Sequence, residues 1–455
     1  MSKLLLVSTN REMLPDPVFP LGLAYVAGAV EAAGHQVETL DLCFVDDDAI
    51  EPVLHEAIAA SAPDVIGLSV RNIDDVSYPK TTSYLGLYRR VVAACRESTD
   101  APLVIGGSGF TIMPEEFLAA FDVDYGVVGE GERVMVELLD RLAGGGEGPL
   151  PAGVMKRGSG LVRPKRLEQW SHYRPERRFF SATDYYEKGG MLNLQTRRGC
   201  PYRCVYCTYP RIEGSRPRLR PVQEAVDEME QLIEATGVRH LFIVDSVFNH
   251  PRDYALAFCD EVIARRIDVK WSCYANAGQM DGELVDRLLR AGCEGVEFGT
   301  DGLVDEVLEA LGKGFTYADV VETSRQCREQ GLRFCHFIFL GNPDEDLDMA
   351  KLAADRLATL EADSSMIMAG IRVFPGTPLA DRAREELGLE QIGLEPVFYI
   401  SPKLVTDLDD LVAQIIADHP SWVLPGFRRN FSERIQKVLR RSGRRGVLWD
   451  FLSPR

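Results

Sequence analysis

Residues 200–207 read Cys200-Pro201-Tyr202-Arg203-Cys204-Val205-Tyr206-Cys207 and follow directly on the apolar run Met191–Thr196. Placing that run as a strand puts the three cysteines in the loop at its carboxyl end. Further strands are predicted at His240–Asp245, Val269–Tyr274, Gly295–Thr300, Arg333–Leu340 and Met366–Val373. Helical patterns lie between them, near Gln223–Thr236, Asp253–Arg266, Asp281–Ala291, Tyr317–Gln330 and Asp346–Thr359. Six βα units over ~190 residues fall short of the eight that close a full barrel, so residues 191–388 predict a partial, TIM-like (βα)6 barrel. Upstream, strands at Lys3–Ser8, Val37–Leu42, Asp64–Val70, Leu103–Ile105 and Tyr125–Val128 alternate with helices, giving an α/β, doubly wound parallel sheet over residues 1–148. Gly144-Gly145-Gly146 ends that domain. Residues 149–190 read as an Arg-rich connector, and 389–455 as a small, mostly helical C-terminal region.

Three thiols so close in sequence wrap one centre. Zinc is the first alternative, but structural zinc takes four protein ligands in two separated pairs, and no second pair follows. A [4Fe–4S] cluster takes four thiolates, so three leave one iron open to a non-protein ligand. Three fortuitous buried cysteines are the bland alternative. The other seven cysteines are scattered in mostly apolar runs, as small core residues are.

The spacing Cys-x3-Cys-x-Tyr-Cys, in the first loop of a six-unit barrel, resembles the radical S-adenosylmethionine superfamily. The resemblance implies that Cys200, Cys204 and Cys207 hold a [4Fe–4S] cluster whose open iron is chelated by S-adenosylmethionine. It also implies an external one-electron reductant of flavodoxin or ferredoxin type. Tyr206 occupies the family's aromatic position. Val244-Asp245-Ser246 stands where a Gly-Gly-Glu is usual, which makes Asp245 the cofactor-facing group; Glu297, Asp301, Gly341 and Arg372 fall at the ends of later strands where relatives bind the same cofactor. For each carboxylate the alternative is an ordinary loop cap or ion pair.

In the N-terminal domain, Ile105-Gly106-Gly107-Ser108-Gly109 and Val128-Gly129-Glu130-Gly131-Glu132 resemble flavodoxin-like cobalamin-binding domains that precede such barrels. With Asn10, Ser69, Arg71 and Asn72 these residues (Gly106 to Gly109, Gly129 and Glu130) are the expected cobalamin contacts, the glycines letting a wide corrin approach the backbone. No Asp-x-His-x-x-Gly occurs, so no imidazole is expected on cobalt, and Arg71 is placed to crowd its lower face. The alternative for Arg71 is an ion pair with Asp74 or Asp75. The resemblance covers residues 1 to about 390, to the cobalamin-dependent radical S-adenosylmethionine enzymes.

The net charge of −18 is uneven: −15 over residues 1–150 and +7 over residues 427–455. An acidic body excludes a general nucleic-acid binder, whose affinity needs clustered Lys and Arg. The basic tail places Ile435, Val438 and Leu439 at helical spacing. A terminal helix packed on the body is favoured over membrane-surface contact. The short N-terminal apolar run is not a signal peptide, no run of ~20 apolar residues occurs, and the cysteines are not a disulfide scaffold, so a cytoplasmic protein is expected.

The combined resemblance implies methylation of an unactivated carbon of a small, natural-product or lipid-like substrate, by way of methylcobalamin and a 5′-deoxyadenosyl radical. The rivals are radical ring formation or rearrangement with cobalamin as a redox partner, a non-catalytic cobalamin sensor, and an iron–sulfur electron carrier.

Overall fold

The computed structural model describes residues 1–427 and 433–449. Its N-terminal domain carries strands β1 (Lys3–Ser8), β2 (Gln36–Asp41), β3 (Val65–Ser69), β4 (Leu103–Gly106) and β5 (Tyr125–Val127), parallel in the order β2-β1-β3-β4-β5. β1 is buried on both faces through Leu4–Val7, which is why it reads as an unbroken apolar run. Helices α1 (Leu21–Ala32), α2 (Ile50–Ser61), α3 (Leu85–Ser98), α4 (Ser108–Ile112), α5 (Pro114–Ala120) and α6 (Gly131–Ala143) cover the sheet. α6 buries Val134, Met135, Leu138 and Leu139, the stripe expected of an amphipathic helix.

The connector is not a free linker. Val154–Met155 forms β6, antiparallel on the β5 edge, and Ala182–Gly189 forms α7. Trp170 between them is 1% exposed, packs edge-on against Tyr25 and donates its indole N–H to the Arg218 carbonyl. The connector thus packs on both domains.

The second domain opens with β7 (Leu192–Leu194), followed by the two-residue strands β8 (Arg197–Arg198) and β9 (Arg218–Leu219), which pair antiparallel. Helix α8 (Tyr209–Ile212) lies in the loop they clasp. Then come α9 (Val222–Thr236), β10 (His240–Ile243), α10 (Arg252–Arg265), β11 (Lys270–Ala275), α11 (Gly282–Arg290) and β12 (Cys293–Asp301). The barrel ends with α12 (Asp305–Leu311), α13 (Tyr317–Gln330), β13 (Phe334–Leu340), α14 (Leu347–Thr359) and β14 (Ser364–Ala369). The six barrel strands are parallel in the order β7-β10-β11-β12-β13-β14. The expected sixth strand is divided: Gly370, at φ 69°, breaks it, and β15 (Ile371–Arg372) pairs instead with β16 (Phe398–Tyr399). Helices α15 (Pro378–Leu387) and α16 (Leu408–Asp418) complete this region.

The last helix, α17 (Glu433–Arg441), docks on the body with an arginine on an acidic partner, as the favoured reading of the basic tail has it. Among its described side chains Gln436 and Arg440 are buried, while Ile435 and Val438 are exposed. Arg440 donates from Nε and Nη2 to the two carboxylate oxygens of Asp16 at 3.0 and 2.7 Å. Beyond it, Val447 and Trp449 pack with Met191, Phe242, Cys335 and Phe337 at the amino-terminal end of the barrel. Residues 428–432 of the anticipated tail helix lie outside the described residues.

Candidate active site between the two domains

The cysteine loop is held by its own backbone. Gly199 adopts φ 90°, and a Cβ there would stand 2.3 Å from the Arg216 carbonyl oxygen, so no other residue fits this corner. Its N–H donates to Glu213, and the Cys200 N–H donates to the Gly214 carbonyl. Val205 N–H reaches Leu311 O, and Leu379 N–H reaches Val205 O, tying the loop to two later βα units.

Cys200 is buried and Cys204 and Cys207 half-buried. Burial pushes the Cys207 thiol up to about 12 and raises that of Cys204, and Cys200 adds to both shifts. The three thiols are thus close enough to repel one another as thiolates, and a metal centre is what would stabilise all three in that form. Among the described residues no three His, Cys, Asp or Glu side chains already stand at coordinating geometry. The donor set itself, three soft sulfurs with a lysine ammonium favouring two of the thiolates, fits an iron–sulfur centre.

That ammonium belongs to Lys313, which the sequence reading missed. Lys313 Nζ and the Tyr206 hydroxyl both donate to Asp301 Oδ2, all three groups being buried or nearly so. Tyr206 and Asp301 were expected together at the S-adenosylmethionine end of the barrel, and they are in contact. The sequence signal for Lys313 is a lysine between Gly312 and Gly314 in an otherwise apolar stretch.

Three other expected cofactor contacts have different surroundings. Asp245 is fully buried; its Oδ1 accepts from the Thr196 and Arg197 N–H groups at 2.8 and 3.2 Å, and its Oδ2 from the Thr196 hydroxyl. It latches the start of the cysteine hairpin to β10 rather than facing a ligand. Glu297 lies in mid-strand, because β12 runs on to Asp301, and it accepts from the Trp449 indole at 2.8 Å at the closed end of the barrel. Arg372 donates from Nε to Asp74 Oδ2 at 2.9 Å, a buried pair across the two domains. Asp74 is therefore not the partner of Arg71. Gly341, at φ 86°, turns the chain after β13 against Ile400, with its N–H on Glu345.

A cavity of about 540 Å³ separates the domains. Asn10, Ser69, Arg71, Asn72, Gly106, Gly107, Ser108, Gly109, Gly129 and Glu130 all line it from the N-terminal side. From the barrel come Gln195, Arg198, Val244, Thr208 and Tyr209, the last two directly after Cys207. Arg71 is exposed to this space, and its charge is felt by Tyr209 and Tyr274. The glycines have two distinct roles. A Cβ on Gly107 would meet the Val70 carbonyl at 2.4 Å, and one on Gly109 would meet the Val70 side chain at 2.9 Å, so both serve packing within the domain. Gly106 and Gly129 have ordinary clearance and leave backbone open at the cavity. Glu130 is less available than expected: Arg198 and Arg218 donate to it at 3.1 and 2.8 Å, and Leu167 N–H at 3.0 Å. Burial would raise its carboxyl, but the two guanidinium groups hold it below the ordinary value.

Comparison with known proteins follows the same division. The profile of the radical SAM superfamily matches residues 194–355, and that of the B12 binding domain matches residues 11–139. Tryptophan 2-C-methyltransferase of Streptomyces laurentii is 28% identical over 444 residues, covering 83% of this chain and 74% of that protein. The radical S-adenosylmethionine methyltransferase TsrM of Kitasatospora setae, solved with tryptophan and an S-adenosylmethionine analogue, superposes with a TM-score of 0.88 at 28% identity. The superposition covers 99% of this chain and 98% of that one. The same enzyme with cobalamin and a [4Fe–4S] cluster gives 0.86, covering 99% and 97%. The two domains and their order agree with these relatives, and the chain belongs to the cobalamin-dependent radical S-adenosylmethionine enzymes.

Proposed function

We propose that the chain is a methyltransferase that moves a methyl group from S-adenosylmethionine to carbon of a small, partly aromatic substrate. The carrying observation is the single cavity that brings Arg71 and the glycine loops of the N-terminal domain opposite Thr208 and Tyr209, next to Cys207. When bound, cobalamin supplies a methyl carrier, and the cluster with S-adenosylmethionine supplies one-electron chemistry at carbon lacking a nucleophilic lone pair. Cys200, Cys204 and Cys207 hold the cluster. Tyr206 and Asp301, fixed by Lys313, form the S-adenosylmethionine end together with the Gly341 turn. Asn10, Ser69, Asn72, Gly106, Ser108 and Gly129 would cradle the corrin, and Gly107 and Gly109 let the loop that carries them pack on Val70. Arg71, on the same wall, would hold beside the corrin a cation that cannot ligate a metal. The substrate sits between, against Tyr209 and Phe374, where both groups would be within reach. Such walls suit a planar, partly apolar molecule, and the tryptophan of the relatives makes it the first substrate to test. Electrons come from an external one-electron donor of the reducing cytoplasm.

The test is anaerobic reconstitution with iron, sulfide and hydroxocobalamin, then incubation with methyl-deuterated S-adenosylmethionine, a reductant and a panel led by L-tryptophan. Labelled methyl in a product with matching S-adenosylhomocysteine is the expected result. Product without label, or a changed ring with no S-adenosylhomocysteine, would contradict methyl transfer. Cys204→Ala should lose the cluster and keep the corrin.

A further inference from the structure

Four arginines line the short hairpin that clasps the cysteine loop, and three of them donate to carboxylates. Arg198 donates to Glu130, Glu132 and Gln195; Arg218 donates to Glu130; Arg220 donates to Glu228. Arg197 is the exception. It is 1% exposed, and its Nε, Nη1 and Nη2 are all buried without a hydrogen-bond partner. Successive strand residues point to opposite sides. Arg198 turns toward the N-terminal domain, and Arg197 turns the other way, into the field first of Asp245 and then of Cys200, Tyr202 and Tyr254. Asp245 is its nearest countercharge but accepts no hydrogen bond from the guanidinium; the bonds it does accept come from the Thr196 and Arg197 N–H groups and the Thr196 hydroxyl.

A buried guanidinium with three idle donor nitrogens calls for an acceptor beyond Asp245, since unmade hydrogen bonds of a charged group in a low-dielectric interior are strongly disfavoured. Burial weakens its basicity but leaves a guanidinium charged at neutral pH. An iron–sulfur centre with three thiolates is net negative, and becomes more so on accepting an electron. A fixed cation beside it stabilises the reduced form more than the oxidised form. We infer that Arg197 is the buried counter-charge of the iron–sulfur centre, a positioning residue that raises its reduction potential by lying beside Cys200. This rests on the assignment of Cys200, Cys204 and Cys207 as cluster ligands.

The test is an EPR-monitored redox titration of reconstituted, S-adenosylmethionine-free protein, with iron and sulfide content measured in parallel. Arg197→Gln should hold the cluster at a more negative potential than the unsubstituted chain, with Arg197→Lys recovering much of the difference. An unchanged potential in a fully loaded Arg197→Gln overturns the inference. So does an unchanged potential with weakened S-adenosylmethionine binding, which would make that cofactor's carboxylate the partner. If Arg197→Gln keeps the corrin but no cluster, Arg197→Lys decides: cluster retained supports the role of charge, cluster lost in both overturns it. An unsubstituted chain that takes up neither iron nor sulfide would refute the ligand assignment instead, which is a separate outcome.

Discussion

At the scale of single residues, burial changes what a carboxylate does. Burial raises Glu297 to about 7, although the Trp449 indole donates to it. Between its ordinary value of 4.5 and about 7 the folded chain retains a proton that the unfolded chain releases, so this group makes stability fall as pH rises through that window. The slope is at most about 1.4 kcal/mol per pH unit. Glu297→Gln keeps a neutral acceptor for the indole, and urea denaturation from about pH 5 to about 7 should show a flatter dependence for it than for the unsubstituted chain. The cysteine octet was legible because its chemistry is local: three sulfurs within eight residues need no tertiary information. The carboxylates were not. Whether Asp245 faces a ligand or the two N–H groups of a neighbouring strand depends on partners 48 and 49 residues away, which local sequence does not carry.

At the scale of elements, most parallel strands of both sheets could be read in advance because burial on two faces writes a continuous apolar run; the edge strand β2 reads instead by its Val-Glu-Thr-Leu alternation. The pairs β6, β8–β9 and β15–β16 could not, since two residues define no period. The C-terminal segment was legible as a docked helix with arginines toward acidic surface, but its partner was not, since Asp16 binds Arg440 from 424 residues away. Its closing element is Trp449, which is 6% exposed inside the amino-terminal end of the barrel. Trp449→Ala leaves a cavity and strips Glu297 of its donor, and should cost about 3–5 kcal/mol in chemical denaturation. A loss under about 1 kcal/mol would mean that the segment rests on the barrel without closing it.

At the scale of the whole molecule, the relative placement of the two domains depends on buried ion pairs that cross between them: Arg372 with Asp74, and Arg198 with Glu130 and Glu132. Removing one member leaves a desolvated charge behind, so Arg372→Met should cost about 3–5 kcal/mol. Limited proteolysis should then cut the connector faster, and Asp74→Asn in the same chain should restore part of the loss. The cavity that this docking creates is the reason the fold brings a corrin and a cluster to one substrate. No described helix is long and apolar enough to cross a membrane. The most direct measurement is S-adenosylhomocysteine formation by the anaerobically reconstituted chain, with and without bound corrinoid. The account requires near-stoichiometric corrinoid, iron and sulfide in equal amounts, and S-adenosylhomocysteine only when the corrinoid is present. A chain that retains no corrinoid, or that forms S-adenosylhomocysteine equally without it, would contradict the account.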